Sequence, residues 1–364
     1  MRILIIAVGL LLVPMPAWAE QWKQGVSVHQ SVGYDSNPDL APSGEKGIWR
    51  GRLSPSYALT WSDGLSEWVG SASLLLERSS DRDRSQDRKD PSASLGWKRF
   101  TEFGEVSLQA SYDEASTRVT ELEESGLVVA DGTRERTRFV GGWRRSLSAY
   151  TDMAWTADYT DVEYDGGSLV DYRAVSLGVT LDTALSPRTG GFVSLSTSRH
   201  DPDDDTDTSS LHSLMLGLRW NSSARALWSV QGGIASTDGE DDGVSGQGAI
   251  SLAYDTERGA INLQAGRSVT SSGLGGYAEA DYARAALSYA LDETRSIGAD
   301  VSWRRVDDRA SNTLRQFGLW ANQELTPRWS ARLSYFAKQR DSHGLGEATA
   351  HVVELALRFS HPSF

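Results

Sequence analysis

Residues 49–76, WRGRLSPSYALTWSDGLSEWVGSASLLL, decide the fold because apolar and polar side chains alternate along two arms that a short turn connects. In the first arm, Trp49, Leu53 and Trp61 share one parity, and the opposite parity holds only Arg, Ser, Ala and Thr. The second arm largely repeats this alternation after the turn at 62–65. A period of two is typical of a strand, so the stretch predicts a hairpin with one apolar face and one polar face. Both arms are longer than ordinary soluble strands, and tryptophans flank the turn, which favours a membrane on the apolar side.

The same unit recurs to the end of the chain and predicts an all-β protein, a transmembrane antiparallel up-and-down β-barrel of about 18 strands (16–18). Eight short turns are expected between strands centred on residues 26–34, 49–61, 68–76, 93–97, 106–112, 139–143, 153–159, 175–181, 193–195, 214–220, 228–234, 250–254, 261–265, 283–289, 297–303, 317–321, 329–335 and 351–359. An even number of strands is the rule for single-chain bacterial barrels and would place both chain ends in the periplasm. The longer loops would then face outside, at residues 35–47, 79–90, 113–133, 160–170, 199–208, 237–246, 270–276, 306–312 and 338–348.

The first nineteen residues have the features of a secretory signal peptide. Arg2 is followed by the apolar run 3–13, and Ala17-Trp18-Ala19 forms a small-x-small cleavage site before Glu20. Eleven apolar residues ended by prolines are too few to cross about 30 Å of hydrocarbon as a helix. The sequence therefore predicts a cleaved signal peptide at 1–19, a barrel at 20–364 and a location in the outer membrane of a Gram-negative cell.

Average composition conceals this architecture. The chain has 364 residues, 39% hydrophobic and 23% charged, and a mean hydropathy of -0.40, which are the averages of a soluble acidic protein. Alternation explains the discrepancy, because every apolar position on a barrel strand is followed by a polar one. Cysteine is absent, so disulfides and thiolate metal sites are excluded. Without Arg2 the chain holds 35 basic and 49 acidic residues, a net charge of -14 that argues against nucleic acid as a partner.

A soluble propeller or sandwich is the main alternative, since propeller blades repeat at a similar length. Propeller strands, however, pack apolar residues on both faces, whereas here one face carries charges that need water. The predicted pore-lining residues on that face are Arg134, Arg136, Arg138, Asp152, Asp158, Asp300, Arg304, Arg328, Arg332 and Glu354. A closed sheet of sixteen to eighteen strands can enclose an aqueous channel. The inner face thus predicts a channel for small hydrophilic solutes or an exported polysaccharide.

Two interpretations of the inner arginines remain open. They could pair with acids on neighbouring strands and stiffen the wall, or form a ladder that guides anions, since Arg binds carboxylates bidentately. The second interpretation predicts a modest anion preference, with Arg144 joining the row. The competing expectation is a cation preference that acidic residues and acidic mouth loops would cause, namely Asp113, Asp152, Asp158 and Asp300.

Two motifs carry a resemblance to a known class of proteins. Gly33-Tyr34-Asp35-Ser36-Asn37-Pro38 resembles the Tyr-Asp-x-Asn start of outer-membrane β-barrel porins, including barrels from exopolysaccharide export loci. The segment 353–359 is similar to the terminal β-signal of outer-membrane proteins, with Leu355, Leu357 and Phe359 as its apolar positions. The resemblance implies outer-membrane lipid, lipopolysaccharide and the barrel-assembly machinery as partners, with polysaccharide export components if the solute is a glycan. Five residues follow Phe359, so Phe364 is the alternative signal aromatic.

Little in the sequence indicates a catalytic site or a metal site. The six histidines, His29, His200, His212, His343, His351 and His361, fall in no recognisable motif; His351 shares the lipid-facing parity, and His200 and His343 fall in predicted loops. We therefore expect no enzyme and no cofactor. A barrel hydrolase of lipid or glycan, or a structural barrel without conductance, is the alternative. The acidic runs at 201–207 and 238–242 could chelate calcium, although such runs are more often solvated loops.

Overall fold

The structure, a computed structural model, describes residues 21–43, 45–124, 131–165, 169–204, 208–239, 243–271, 276–307, 311–342 and 346–361. The predicted signal peptide and Phe364 lie outside these residues. The described part of the chain forms one helix, α1 (Thr117–Glu124), and eighteen strands: β1 (Gln21–Asp35), β2 (Ile48–Ser62), β3 (Ser66–Ser79), β4 (Arg88–Thr101), β5 (Gly104–Ser116), β6 (Thr133–Ser146), β7 (Thr151–Asp165), β8 (Tyr172–Ser186), β9 (Thr189–Pro202), β10 (Ser209–Ser223), β11 (Ala226–Asp238), β12 (Gly243–Asp255), β13 (Gly259–Ser271), β14 (Tyr277–Ala290), β15 (Arg295–Asp307), β16 (Ser311–Thr326), β17 (Trp329–Ser342) and β18 (Gly346–His361).

The strands close into an antiparallel barrel. Each strand pairs with its neighbours in sequence, and β1 pairs with both β2 and β18. Val28 shows the closure, because it is opposite Pro55 on one side and Phe359 on the other. Closure gives the first and last strands ladder partners and removes the open edges that a sheet of this size would otherwise expose. The predicted fold class is confirmed, with the strand number at the expected value of 18.

Burial is inverted relative to a soluble protein. Leucines, valines and aromatics on the predicted lipid-facing parity are exposed, as Leu216 is at 56% and Leu355 at 50%. Many of the buried side chains are instead polar or charged, including Glu77, Arg88 and Glu121. A surface of this kind is stable only where its surroundings are apolar, which is the condition a lipid bilayer provides.

Aromatic pairs mark two levels of the outer surface. Near the short turns, cross-strand ring pairs lie 4.6–6.1 Å apart, namely Trp22–Trp61, Trp68–Trp97, Trp143–Trp155, Trp220–Trp228 and Trp329–Phe359. Toward the long loops, Tyr34 pairs with Trp49 at 5.3 Å. Along β2, Trp49 and Trp61 are separated by about 40 Å of strand, or about 30 Å across a membrane if the strand tilts by about 45°. The two levels thus match the two interfaces of a bilayer.

The eight short turns lie where the sequence predicts them. In the first, the Asp63 carboxylate accepts hydrogen bonds from the backbone N–H groups of Leu65 (2.9 Å) and Ser66 (2.5 Å). The register shifts at three strand ends beside such turns, between Ala184 and Ser186, Asn221 and Ser223, and Glu324 and Thr326. We call this end of the barrel the turn end and the opposite end the loop end.

The structure departs from the prediction at the loop end. The strands extend to 13–16 residues, so β4 already begins at Arg88 inside the predicted 79–90 loop. Within the predicted outer loop 113–133, residues 117–124 form α1. No helix in the described ranges is long and apolar enough to cross a membrane. Because α1 packs against inward-facing residues of β16 and β18, the expectation that every long loop faces outward is wrong for this segment.

Candidate functional site: the lumen and its constriction

Helix α1 lies inside the barrel. Its Leu122 joins one buried apolar cluster with Leu40, Leu314, Ala348 and Ala350. Ala348 and Ala350 belong to β18, which β1 to β4 separate from β5, the strand that precedes α1. Side chains so far apart around a closed ring meet only through its interior. The apolar cluster therefore narrows the lumen.

An ion-pair network joins three loops beside this constriction. Arg118 on α1 lies 3.4 Å from Asp39 and 3.5 Å from Asp131, and its guanidinium donates to the carbonyl oxygen of Arg84 at 2.5 Å. Asp131 also lies 3.6 Å from the Arg88 guanidinium. The loop after β1, which contains Asp39, and the loop between β3 and β4, which contains Arg84, are thereby connected to α1. Pairs that share partners in a partly buried network hold a loop more firmly than isolated surface pairs do.

A buried contact ties α1 to the wall. The Glu121 carboxylate lies 4.0 Å from the Arg134 guanidinium and accepts a hydrogen bond from the Tyr164 hydroxyl at 3.1 Å. Both members of the ion pair are almost fully buried. Arg134, which the sequence assigned to a pore-lining ladder, is thus an anchor of the constriction.

The other arginines of that row pair with acids across neighbouring strands. Arg136 lies 2.9 Å from Asp113 on β5, and Arg138 lies 2.5 Å from Asp158 on β7. Arg144 lies 2.9 Å from Asp152. The geometry favours the wall-stiffening interpretation, because each arginine in these pairs has a carboxylate beside it that cancels its local charge.

A second ionic cluster crosses the seam where the barrel closes. Arg52 on β2 lies 2.6 Å from Glu77 on β3 and 3.0 Å from Glu354 on β18. Arg50 lies 3.5 Å from Asp35 and 3.8 Å from Glu77. The predicted lining residue Glu354 therefore connects the last strand to the second across the inner face of β1.

The remaining predicted lining residues occupy different positions. Arg332 on β17 stacks on the ring of Trp320, with 4.3 Å between Cζ and the ring centroid. Asp300 packs over Gly318, where a Cβ atom would lie 2.5 Å from Oδ2. Arg304 shares the inner face of β15 with Asp300. Arg328 lies in the turn between β16 and β17, because Thr326 already pairs with Trp329, and it belongs to the rim of the turn end rather than to the wall.

Several charged residues of the site were not predicted from the sequence. Arg88, Arg118, Glu121 and Asp131 fell in predicted outer loops, and Arg340 was assigned to the loop 338–348 although it belongs to β17. The helical spacing of Val119 and Leu122 is the one local signal of α1, and eight residues are too few for that signal to stand out.

His200 does not lie in a loop. It is buried on β9, with its ring centroid 4.4 Å from that of Tyr172 and 6.0 Å from that of Tyr277. Neither ring nitrogen has a hydrogen-bond partner among the described residues. The outward His351 shares a 2.9 Å hydrogen bond with the Tyr335 hydroxyl. His343 and parts of both acidic runs lie outside the described residues, and within those residues no group of three or more His, Asp or Glu could hold a metal ion.

The predicted assembly signal forms the outer face of the closing strand. Leu355 and Leu357 are exposed on β18, and the Phe359 ring lies 5.2 Å from that of Trp329. Phe359 is opposite both Val28 and Trp329, so it sits at the seam. The alternative aromatic, Phe364, lies outside the described residues.

No family model and no curated protein matches this sequence. Among solved structures, the chain is similar to OccAB4 from Acinetobacter baumannii, with 9% identity, coverage of 94% of this chain and 98% of that one, and a TM-score of 0.52. OpdL from Pseudomonas aeruginosa shows 10% identity over 94% and 99% of the two chains, with a TM-score of 0.50. The chain has the fold of outer-membrane porins. A mutant of the ferric enterobactin receptor PfeA from Pseudomonas aeruginosa is also similar, at 10% identity over 94% of this chain and 80% of that chain, with a TM-score of 0.50.

Proposed function

We propose that this chain is an outer-membrane channel that passes small hydrophilic solutes through a constricted, charge-lined lumen. The observation that carries the proposal is the position of α1, which narrows a closed ring of eighteen strands, while the buried apolar clusters of the described residues are too small to fill that ring. The exposed apolar outer face and the paired charges inside support the same function, because they suit lipid outside and water inside.

The constriction favours small solutes over a polymer. Leu122 would have to leave its contacts with β16 and β18 before the lumen could widen for a polysaccharide chain, and the contacts of Arg118 and Glu121 oppose that movement. Export of a polysaccharide therefore requires a second arrangement of α1. A hydrolase would need a nucleophile or base beside a substrate cleft, and the buried His200 between two tyrosine rings does not favour it.

The proposal that the chain functions in the outer membrane also includes its export, its assembly and its lipid contacts. A signal peptide at 1–19 would direct export, and the barrel-assembly machinery would bind the terminal strand through Leu355, Leu357 and Phe359. Lipid and lipopolysaccharide would contact the exposed apolar face. Edman sequencing of protein purified from outer membranes tests the first part, with Glu20 as the expected N-terminal residue.

Planar bilayer recording tests the channel. Wild-type protein should give discrete, small conductance steps, and Leu122→Asp should enlarge them several-fold, because a carboxylate cannot remain in the apolar cluster. Val119→Asp is the matched control, since Val119 lies on the same helix and is 46% exposed. Bilayers that stay silent with wild type and with Leu122→Asp would refute the channel. Equal steps from wild type and both variants would refute the role of α1.

A further inference from the structure

Arg340 is a deeply buried cation on the inner face of the barrel. It is directly opposite Leu314 on β16 and Ala348 on β18, and directly opposed residues of an antiparallel pair project from the same face. Leu314 and Ala348 belong to the apolar cluster with Leu40 and Leu122. The guanidinium is therefore held where α1 and the loop after β1 meet the wall, and the residue is only 3% exposed.

Comparably buried arginines have carboxylates beside them. Arg88 lies 2.8 Å from Asp90, and Arg134, also 3% exposed, lies 4.0 Å from Glu121. Arg340 differs, since within the described residues no carboxylate lies within 4.0 Å of its guanidinium and its Nε has no hydrogen-bond partner. Arginine does not release its proton in proteins, so this site cannot become neutral by itself.

The carboxylates of Asp39, on the loop after β1, and of Glu121, on α1, are already paired with other arginines, since Asp39 lies 3.4 Å from Arg118 and Glu121 lies 4.0 Å from Arg134. On its own strand, Lys338 shares the inner parity and Asp341 has the opposite one. On β15, Arg304 is opposite Leu314 and thus lies in the same row. On β18, the inward carboxylate is Glu354, which is already 3.0 Å from Arg52. A buried charge is retained at low cost only when a partner compensates it.

We infer that Arg340 is the centre of a binding site for a small carboxylate, which the wall and the loop after β1 enclose. This inference rests on the proposed channel function, because it names the group by which a solute is held in the lumen. The planar guanidinium fork matches the two oxygens of a carboxylate, and a monovalent anion balances the one uncompensated charge.

The loop after β1 is fixed to the wall beside the site. Asn37 donates hydrogen bonds from its side chain to the carbonyl oxygens of Ala41 (2.9 Å) and Thr349 (3.1 Å). Leu40, in the same loop, completes the apolar cluster. Because the loop and α1 both contribute to the apolar cluster that contains Leu314 and Ala348, the residues opposite Arg340, a carboxylate bound there would connect the constriction to the wall. Binding should therefore stabilise the constricted state.

Thermal unfolding of the full-length protein in detergent tests the site. Sodium formate and sodium acetate should raise the melting temperature above its value in sodium chloride at equal ionic strength, and the effect should saturate with concentration. Arg340→Met should remove the carboxylate effect while filling the apolar cluster. Arg332→Met is the matched control and should retain the effect, because Arg332 lies on the same strand and face but stacks on Trp320.

Arg340→Lys provides a second variant, which keeps the positive charge but loses the planar guanidinium that can donate two hydrogen bonds to a carboxylate. Its affinity for formate, measured by the midpoint of the stabilisation, should fall about tenfold, in line with the loss of one charge-assisted hydrogen bond. A wild type with equal melting temperatures in formate and chloride would refute the site, as would an undiminished formate effect in Arg340→Met. Conductance measurements distinguish the two proposals. If the protein conducts but formate does not raise its melting temperature, the carboxylate site is refuted and the channel is supported. If formate raises the melting temperature but the bilayer stays silent, the channel is refuted and the carboxylate site is supported.

Discussion

At the scale of the residue, the same side-chain chemistry has opposite consequences on the two faces of a strand. Leu216 is exposed on the outer face of β10, whereas Leu314 is buried inside the barrel beneath α1. Neighbouring residues alternate faces, so Met215 points inward and approaches Gly233, where a Cβ would lie 2.7 Å from the methionine sulfur. A shift of one position along the strand therefore moves a side chain from the lipid-facing side to the lumen.

Arginine substitutions at these two adjacent positions test the assignment of the faces. Leu216→Arg should lower the free energy of unfolding by about 2–4 kcal/mol, because it places a charge near the bilayer midplane. Met215→Arg should cost far less, since its side chain can reach water in the lumen. Denaturant titration in lipid vesicles gives both values. Equal costs at the two positions would overturn the register of β10 relative to the membrane.

At the scale of the element, inward-facing charges of opposite sign on neighbouring strands pair with each other. Between β6 and β7, Arg138 and Asp158 form a 2.5 Å pair on the inner face, and Arg144 and Asp152 form another at 2.9 Å. A passing ion within a Debye length of about 8 Å experiences the sum of each pair. The arginine row of β6 by itself therefore gives little reason for an anion preference.

Removing one member of a pair should change ion selectivity, and removing both should restore it. Arg138→Ser leaves Asp158 without its partner, so the reversal potential in a salt gradient should shift toward cations. The double variant Arg138→Ser/Asp158→Ser should return it close to the wild-type value. If the single variant leaves the reversal potential unchanged, the pair lies outside the ion path.

The short turns contain a titratable element of their own. Hydrogen bonds from the N–H groups of Ser66 and Leu65 lower the pKa of Asp63 below its ordinary 3.8, and those from Thr294, with the Arg295 N–H, do the same to the pKa of Asp292. A carboxyl whose folded pKa is depressed contributes stability that is complete above the unfolded pKa and is lost as the pH falls through the folded pKa.

Stability should therefore decline below about pH 4 in part through these turns. Asp63→Asn keeps an oxygen acceptor but cannot titrate, so its unfolding midpoint should depend less on pH between about 2 and 4 than that of the wild type. Asp292→Asn should behave in the same way, since both turns share the geometry. Unfolding in vesicles across this pH range is the measurement. Parallel pH profiles for wild type and both variants would contradict the prediction.

At the scale of the whole molecule, closure depends on the first and last strands. Phe359 lies at that seam, opposite Val28 and Trp329, and Arg52 and Glu354 connect β2 and β18 across the inner face of β1. The barrel is thus closed around its first and last strands by ladder hydrogen bonds, by aromatic contact outside and by an ion pair inside. A defect there affects the entire ring, because a barrel with an unpaired edge exposes its backbone to lipid.

Alanine substitution of each candidate aromatic tests the assembly signal. Phe359→Ala should reduce the yield of folded barrel in outer membranes, because it removes the aromatic of the closing strand, and Phe364→Ala should leave the yield near the wild-type value. Heat-modifiable mobility in gels distinguishes folded from unfolded protein. The reverse outcome would assign the signal to Phe364.

The sequence by itself determined the barrel, the strand number, the eight turns and the two faces. These features are encoded locally, as the 49–76 hairpin shows, because a period of two and a turn residue such as Asp63 act within a few positions of one another. The same local rules placed Arg134, Arg136 and Arg138 on the inner face.

Only the tertiary structure decided what those side chains meet. The partners of Arg136 and Arg138 come from β5 and β7, and Glu121, the partner of Arg134, belongs to a helix that the sequence did not reveal. The cluster of Leu40, Leu122 and Leu314 joins residues up to 274 positions apart in the chain. Such contacts arise because closing the ring brings distant strands to face one another, and no periodicity along the chain records which loop turns inward or which arginine is left without an acid.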